Sequence, residues 1–301
     1  MVVTQATDRK LSLYLRHSGT RVWQSRLKGP SSTGAVFDGE LVFAASADHK
    51  GRLHAYEFGT GKKRWDVTIG PVAGSLALLR PRVFAATRTG WLFALDAATG
   101  EARWSRPFPR PLRAGVTALD SVLVVATDDS LFIVAAEDGH VEARSATPGA
   151  VYSPPAAGDS VLVATTADGF VAAWDRATLE PLWEQSLGAP VLGSPALARD
   201  TVFLVTLNGT LWRIPLNGPE GALTLPLGVT VRTTVLPLSE GVLIGTVEGE
   251  LLWVVPGEAE PRWRMQFRPP IEQPPIMDGG QLFILDGRGK LHVFGAPVPE
   301  Q

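Results

Sequence analysis

The chain has 301 residues, 45% of them apolar, and its 28 basic and 30 acidic residues give a net charge of −2. This near-neutral balance argues against a nucleic-acid surface, which needs clustered lysine and arginine, and no apolar run reaches the ~18 residues of a transmembrane helix. Disulfides, thiolate metal sites and a cysteine nucleophile are excluded because the sequence has no cysteine. Residues 1–10 lack the apolar segment of a signal peptide, so we expect a cytoplasmic protein, or a periplasmic or cell-envelope protein if a signal has been removed.

A repeat of about 40 residues runs along nearly the whole chain. Its copies open at Arg9, Gly51, Gly90, Asp129, Gly169, Gly209, Gly249 and Gly289. Fourteen residues after the opening position, a tryptophan recurs at Trp23, Trp65, Trp104, Trp183 and Trp263, whereas Ala143 and Leu223 take its place in two copies. We expect these tryptophans to be structural, packed between neighbouring sheets, rather than a stacking platform for a ligand.

Each copy contains four strand-like runs, which in one copy cover residues 72–78, 82–87, 90–96 and 102–108. Valine, leucine, phenylalanine and threonine dominate these runs, and helical periodicity is absent. Polar pairs such as Asp168-Gly169 and Asn208-Gly209 separate the second and third runs and favour tight hairpins. Four antiparallel strands in every 40 or so residues predict the blades of a β-propeller.

The ends of the chain set the predicted blade count. We predict one all-β domain over residues 1–301, a single seven-bladed β-propeller of four-stranded antiparallel blades near 31–70, 71–110, 111–148, 149–188, 189–228, 229–268 and 269–295 plus 9–28. The seventh blade stops after its third run, so the N-terminal run 21–27 is predicted to pair beside 290–294 and close the ring. The run 11–15 is then surplus, and either packs at the seam or begins a partial eighth blade.

The repeat resembles the pyrroloquinoline-quinone-type β-propeller repeat, whose motif is Ala-x-Asp-x-x-Thr-Gly-x-x-x-Trp. Residues 94–104 match it fully, while the copy at 55–65 has Glu57 for the aspartate and the copy at 173–183 has Leu179 for the glycine. The Ser-Pro-x-Ala element of the family is also similar to residues 153–156 and 194–196. The resemblance covers about residues 9–295.

Two kinds of function follow from this resemblance. The family includes quinone-dependent dehydrogenases, but these are about twice as long, have a vicinal cysteine pair and bind calcium, and we find no calcium-loop spacing here. It also includes non-enzymatic propellers of the BamB type, which suit this length better. We therefore expect a non-enzymatic protein-interaction scaffold without cofactor or metal, a monomer that binds protein partners and no nucleic acid. The alternative is a quinone or anionic-ligand site, in an enzyme or sensor, at the axial channel.

Polar residues that break the repeat on the predicted innermost strands are the channel candidates. Alignment by the opening residue places Gly74, Arg113, Ser153, Gly193, Thr233 and Gln273 at one level, and Ala73, Leu112, Tyr152, Leu192, Arg232 and Glu272 one residue earlier. Neighbouring residues of a strand face opposite sides, so only one level lines the channel. The ligand-binding candidates are Arg113, Tyr152, Arg232, Glu272 and Gln273; the competing interpretation is a water-filled channel with solvated side chains.

Two charged turns are candidates for a partner surface on the rim. Residues 47–51 and 285–289 are longer or more charged than the other hairpins and are predicted to lie on one face of adjacent blades. Their candidate residues are Asp48, His49, Lys50, Asp286 and Arg288. No motif for catalysis is found.

Overall fold

The computed structural model describes residues 2–5, 9–16, 18–30, 33–46 and 50–295. Within these ranges the regular elements are all β-strands, which form eight antiparallel sheets. No helix in the described ranges is long and apolar enough to cross a membrane. The chain divides into two compact units, Met1–Thr147 and Pro148–Gln301.

The first unit contains one three-stranded sheet and three four-stranded sheets, each made of consecutive strands. The three-stranded sheet consists of β1 (Val2–Gln5), β2 (Lys10–Tyr14) and β3 (Arg21–Arg26). The next sheet consists of β4 (Val36–Phe37), β5 (Leu41–Ser46), β6 (Arg52–Glu57) and β7 (Lys63–Thr68). The other two consist of β8 (Val72–Leu79), β9 (Arg82–Thr87), β10 (Trp91–Asp96) and β11 (Ala102–Pro107), and of β12 (Val116–Leu119), β13 (Val122–Ala126), β14 (Ser130–Ala135) and β15 (Val141–Ala146).

The second unit contains three four-stranded sheets followed by a three-stranded sheet. The first two consist of β16 (Ala156–Ala157), β17 (Val161–Thr165), β18 (Phe170–Asp175) and β19 (Pro181–Ser186), and of β20 (Ala196–Ala198), β21 (Thr201–Val205), β22 (Thr210–Pro215) and β23 (Leu223–Pro226). The last two consist of β24 (Leu236–Pro237), β25 (Val242–Gly245), β26 (Glu250–Val254) and β27 (Trp263–Gln266), and of β28 (Ile276–Asp278), β29 (Gln281–Leu285) and β30 (Leu291–Phe294).

The second strand of a blade is the most deeply buried, and β5 and β17 are buried along their whole length. The fourth strand alternates between exposed and half-buried residues, as in β15 and β19. Apolar side chains of successive sheets pack into shared clusters, so that Phe84 and Leu92 of one blade lie with Leu123 and Val134 of the next. Because the core lies between sheets, each blade depends on its neighbours for burial.

The predicted class, an all-β protein of β-propeller blades with four antiparallel strands, is confirmed. The predicted closure is wrong. The run 21–27 pairs with β2 rather than beside 290–294, with Leu13 opposite Trp23, so the run 11–15 is not surplus. Leu11 and Leu13 are fully buried against Val42 and Tyr56 of the next sheet, and this burial fixes β2 next to β3. The two ends of the chain therefore form two separate three-stranded sheets.

The aspartate of the repeat motif holds the turn that follows it. Asp96 Oδ1 accepts hydrogen bonds from the backbone N–H groups of Ala98 and Thr99, each at 3.0 Å, and from the Thr99 hydroxyl at 3.2 Å. Asp175 makes the same three bonds in its own blade, at 2.9, 2.8 and 3.0 Å. An aspartate that accepts from the backbone two and three residues ahead fixes a tight turn.

Candidate functional site

The candidate channel residues lie before the innermost strands rather than on them. Arg113 precedes β12, Tyr152 precedes β16, and Arg232 precedes β24. The prediction that these residues stand on strands is wrong. In the second unit the segments contain Pro154, Pro195 and Pro274, which lack a backbone N–H and cannot complete a strand ladder.

Within each unit, these segments pack on the corresponding segment of a neighbouring blade through the backbone. In the first unit Ser75 forms a parallel bridge with Gly115, and a Cβ on Gly74 would lie only 2.1 Å from the Ala114 carbonyl oxygen. In the second unit the Ser153 hydroxyl donates to the Gly193 carbonyl at 3.2 Å, and a Cβ on Gly193 would lie 2.5 Å from the Thr233 carbonyl oxygen. Small residues are needed at this level because the backbones approach so closely.

These contacts correct the alignment of the inner positions. Ala114, not Arg113, is equivalent to Thr233. The carbonyl group of each lies directly against a glycine of the preceding blade, Gly74 for Ala114 and Gly193 for Thr233. The hairpin between β13 and β14 is one residue shorter than that between β17 and β18. The sequence alignment counted back from the residue that opens each repeat, so it placed the inner positions of this blade one residue too early. Arg113 is therefore equivalent to the exposed position before the packed one.

In the second unit the position before the packed residue is exposed in four successive blades. We call Tyr152, Leu192, Arg232 and Glu272 the exposed row. Tyr152 is 45% exposed and Leu192 38%, so both side chains leave apolar area in contact with water. The Arg232 guanidinium lies 4.0 Å from the Glu272 carboxylate, and both side chains are about half exposed. Gln273, the remaining candidate of this unit, is also exposed.

In the first unit Arg113 is an exposed arginine with a carboxylate neighbour. Its Nε donates to Asp128 Oδ1 at 3.0 Å, and the side chains are 42% and 30% exposed. Asp128 comes from the short hairpin of the same blade. A solvent-exposed pair of this kind contributes little to stability.

The rim candidates fall into three groups. Asp48 and His49 lie outside the described residues, whereas Lys50 and Arg288 are exposed. Asp286 is buried and holds its own hairpin, accepting from the backbone N–H groups of Arg288 and Lys290 at 3.0 Å, with His292 Nε2 2.9 Å from its other oxygen. Burial raises the pKa of Asp286, but these hydrogen bonds outweigh it and the pKa is lowered overall. The rim surface as a whole stays a prediction.

One cluster of titratable groups, around Asp66, was not predicted from the sequence. Asp66 lies 3.1 Å from Arg52, 3.3 Å from Lys63 and 3.7 Å from Lys28. Burial, and secondarily the Asp66 charge, raise the pKa of Tyr56 to about 12. A carboxylate surrounded by three cations is a structural ion-pair network, not a general base. Among the described residues no group of three or more histidine, aspartate or glutamate side chains is arranged to hold a metal ion.

A second feature missed by the sequence is an open cleft in the blade β20–β23. It has a volume of about 380 Å³ and is lined by Arg199, Asp200, Thr201, Arg213, Pro215 and Gly221. The sequence feature that could have indicated the cleft is a pair of replacements, Arg213 for the small residue of the repeat and Leu223 for its tryptophan.

Two curated relatives show what the sequence is similar to. The outer membrane protein assembly factor BamB of Moranella endobia is 29% identical over 153 residues, which are 45% of this chain and 39% of that protein. The protein of the same name from Shewanella oneidensis is 26% identical over 183 residues, 52% of this chain and 46% of that protein. The matches thus span less than half the length of either relative.

Two solved structures share the fold. BamB from Moraxella catarrhalis superposes with a TM-score of 0.82 at 15% identity, covering 98% of this chain and 93% of that chain. The computationally designed Ika8 protein superposes with a TM-score of 0.83 at 15% identity, covering 98% and 92%. At this level of identity the likeness concerns the fold alone.

The family comparison also corrects one expectation. A cytoplasmic location was inferred from the polar residues 1–10, and it is wrong, because the relatives are by name assembly factors of the outer membrane. The family model described as outer membrane protein assembly factor BamB matches residues 7–78, 49–151 and 134–224. Since these matches together cover more than half of the chain, the protein belongs to the BamB-like family of PQQ-type repeat propellers.

Proposed function

We propose that this protein is a non-enzymatic scaffold that binds protein partners in outer membrane protein assembly, at the cell envelope. The family supports the role, since its described members are assembly factors. The observation that carries the proposal is the exposed row, in which four successive blades of the second unit present Tyr152, Leu192, Arg232 and Glu272 at equivalent positions.

The chemistry of the exposed row suits a protein partner. It combines an aromatic, an aliphatic, a cationic and an anionic side chain, and protein interfaces have apolar centres with polar rims and are enriched in tyrosine and arginine. Burial of Tyr152 and Leu192 by a partner would remove apolar area from water that the isolated protein leaves exposed.

The backbone beneath the row supports preorganised binding. Ser153 donates to the Gly193 carbonyl at 3.2 Å, and the Ser194 N–H donates to the Thr234 hydroxyl at 2.9 Å. Because the residues next to the row are locked blade to blade, little conformational freedom is lost when a partner binds.

A non-enzymatic role is supported by how the repeated acids are used. In both Asp96 and Asp175, one carboxylate oxygen accepts three hydrogen bonds from the turn that follows. Asp286 likewise holds its own hairpin. These acids are therefore structural groups of the turns and not candidates for proton transfer.

The test is capture of a defined partner by purified variants. We expect the immobilised protein to retain an outer membrane assembly component from solubilised envelopes of its own organism, identified by mass spectrometry. Tyr152→Ser and Leu192→Ser should each weaken binding of that component by about ten-fold or more, as for central interface residues. Leu182→Ser is the matched control, because Leu182 is 51% exposed in the same unit but lies on the outer strand β19.

Two results would overturn the proposal. One is retention of no assembly component by the folded parent protein. The other is equal binding by the parent and by both row variants, which would move the interaction elsewhere.

A further inference from the structure

The blade β20–β23 departs from the repeat at the place where its fourth strand packs. In three other blades the repeated tryptophan lies opposite an alanine of the third strand, in the pairs Trp65–Ala55, Trp104–Ala94 and Trp183–Ala173. In the blade β20–β23 the corresponding pair is Leu223 and Arg213. A large ring over a small residue is thus replaced by a half-exposed leucine beside an arginine.

The open cleft lies on this altered face. Thr201 pairs with Pro215, and Phe203 pairs with Arg213, so these residues share one face of the sheet. Arg199 belongs to the turn Arg199–Asp200 between β20 and β21, which brings a second guanidinium to the same cleft. The volume of about 380 Å³ lies at the lower end of the range for small-molecule sites.

The arginine side chains of the cleft are not paired with a carboxylate in the described part of the protein. Neither Arg199 nor Arg213 forms an ion pair or hydrogen bond with a carboxylate in the described part of the chain, although Asp200 lines the same cleft. Other arginines of the protein are engaged, since Arg103 donates to Asp96 at 2.6 Å and Arg106 to the Gly139 carbonyl at 2.9 Å. The cleft therefore presents two free guanidinium groups against one carboxylate.

We infer that this cleft binds a small anionic ligand through phosphate or carboxylate groups held by Arg199 and Arg213. The planar guanidinium offers paired N–H donors that match the oxygens of both groups. Thr201 and Pro215 also line the cleft. The site is independent of the exposed row and of the scaffold role.

The two ligand chemistries are separated by two probes. Isothermal titration calorimetry of the full chain in low-salt buffer is carried out with inorganic pyrophosphate and with succinate. Binding of pyrophosphate assigns the site to phosphates, and binding of succinate assigns it to carboxylates. Arg199→Gln and Arg213→Gln should each weaken the bound probe about ten-fold or more, in line with loss of a charge-assisted bidentate contact.

Arg268→Gln is the matched control. Arg268 is exposed in the same unit and does not line the cleft, so its removal changes the net charge equally. Its variant should bind the probe as the parent does. If neither probe binds the parent, or if Arg268→Gln weakens binding as much as the cleft variants do, the proposed site is wrong.

A double variant tests the same inference from the opposite direction. Arg213→Ala combined with Leu223→Trp introduces the alanine–tryptophan pair that three other blades carry. We expect this variant to fold, with the same circular dichroism as the parent, and to lose probe binding; undiminished binding would contradict the site.

Discussion

The indole Nε1 of Trp104 lies 3.1 Å from the carbonyl oxygen of Ala136, which belongs to the next blade. The ring also covers Gly139, where an added Cβ would lie 2.8 Å from a ring atom. The same bond joins Trp23 to Phe58 at 2.7 Å, Trp65 to Ala97 at 3.0 Å and Trp183 to Leu216 at 2.9 Å. The repeated tryptophan is thus a joint between blades, made of one hydrogen bond and one close ring contact.

Truncation of the joint should be costly. Trp104→Ala removes the ring and the hydrogen bond and is expected to lower the free energy of unfolding by about 3 kcal/mol, as for large-to-small changes in a core. Trp104→Phe keeps most of the ring and should lose only about 1 kcal/mol, the net contribution of a hydrogen bond. Leu223→Ala is the control, because Leu223 is 51% exposed at the same position of another blade. Urea denaturation measures all three, and equal small losses would show that the tryptophan does not join the blades.

The glycine beneath the ring is the second half of the joint. Gly100 has a φ of 78°, and a Cβ there would lie 2.7 Å from the Trp65 ring. Gly100→Ala should destabilise the protein by clearly more than the roughly 1–2 kcal/mol that a left-handed backbone costs an L-residue. Gly188→Ala isolates the backbone effect, since Gly188 has a φ of 71° and no atom within 4 Å of the added Cβ. Equal unfolding free energies for the two variants would refute the ring contact.

Acid should weaken the turn that Asp96 holds. The hydrogen bond from Arg103, at 2.6 Å, lowers the pKa of Asp96, and the backbone N–H groups of Thr99 and Ala98 lower it further. A lowered folded-state pKa gives stability that is present above the unfolded pKa and is lost as the pH falls through the folded value. The advantage of the parent over Asp96→Asn should therefore be greatest at neutral pH and shrink below about pH 4. Thermal melting between neutral pH and pH 3 would contradict this if the difference stayed constant.

Arg113 should be dispensable for folding. Its partner Asp128 is 3.0 Å away, but the pair is exposed to solvent, and such pairs contribute about 0–1 kcal/mol. Arg113→Ser is therefore expected to change the free energy of unfolding by less than about 1 kcal/mol, and Asp128→Ser by as little. A larger loss in urea denaturation would mean that the pair supports the inner segment of its blade.

The repeat made the strands and turns of each blade predictable from the sequence. The prediction failed where a segment departs from the repeat or is held by long-range packing. The spacing of Asp96, Gly100 and Trp104 reflects a turn and a joint whose chemistry is local, so the sequence alone indicated both. The N-terminal sheet was missed because Trp23 was assigned to the last blade, whereas burial of Leu11 and Leu13 against the next sheet holds β2 beside β3. Such long-range packing is not visible in a local pattern.

The inner positions were predicted less well than the blades. The hairpin at Asp128 is one residue short, so counting from it misplaced Arg113, and only backbone contacts such as that of Gly74 with Ala114 restored the alignment. Arg213 was detectable in principle, since it stands where three other blades have alanine. That Arg213 lines a cleft with a second arginine could be recognised only in the structure, because Arg199 comes from a turn outside the repeat motif.

The most direct test of the scaffold role is site-specific photo-crosslinking in the source organism. A photoreactive amino acid at position 192, in the exposed row, should form a covalent adduct with an outer membrane assembly component. The same residue at position 182, which lies on the outer strand and is more exposed (51% against 38% for Leu192), should not. Adducts with that component at 182 but not at 192, or at neither position in a folded and expressed protein, would contradict the account.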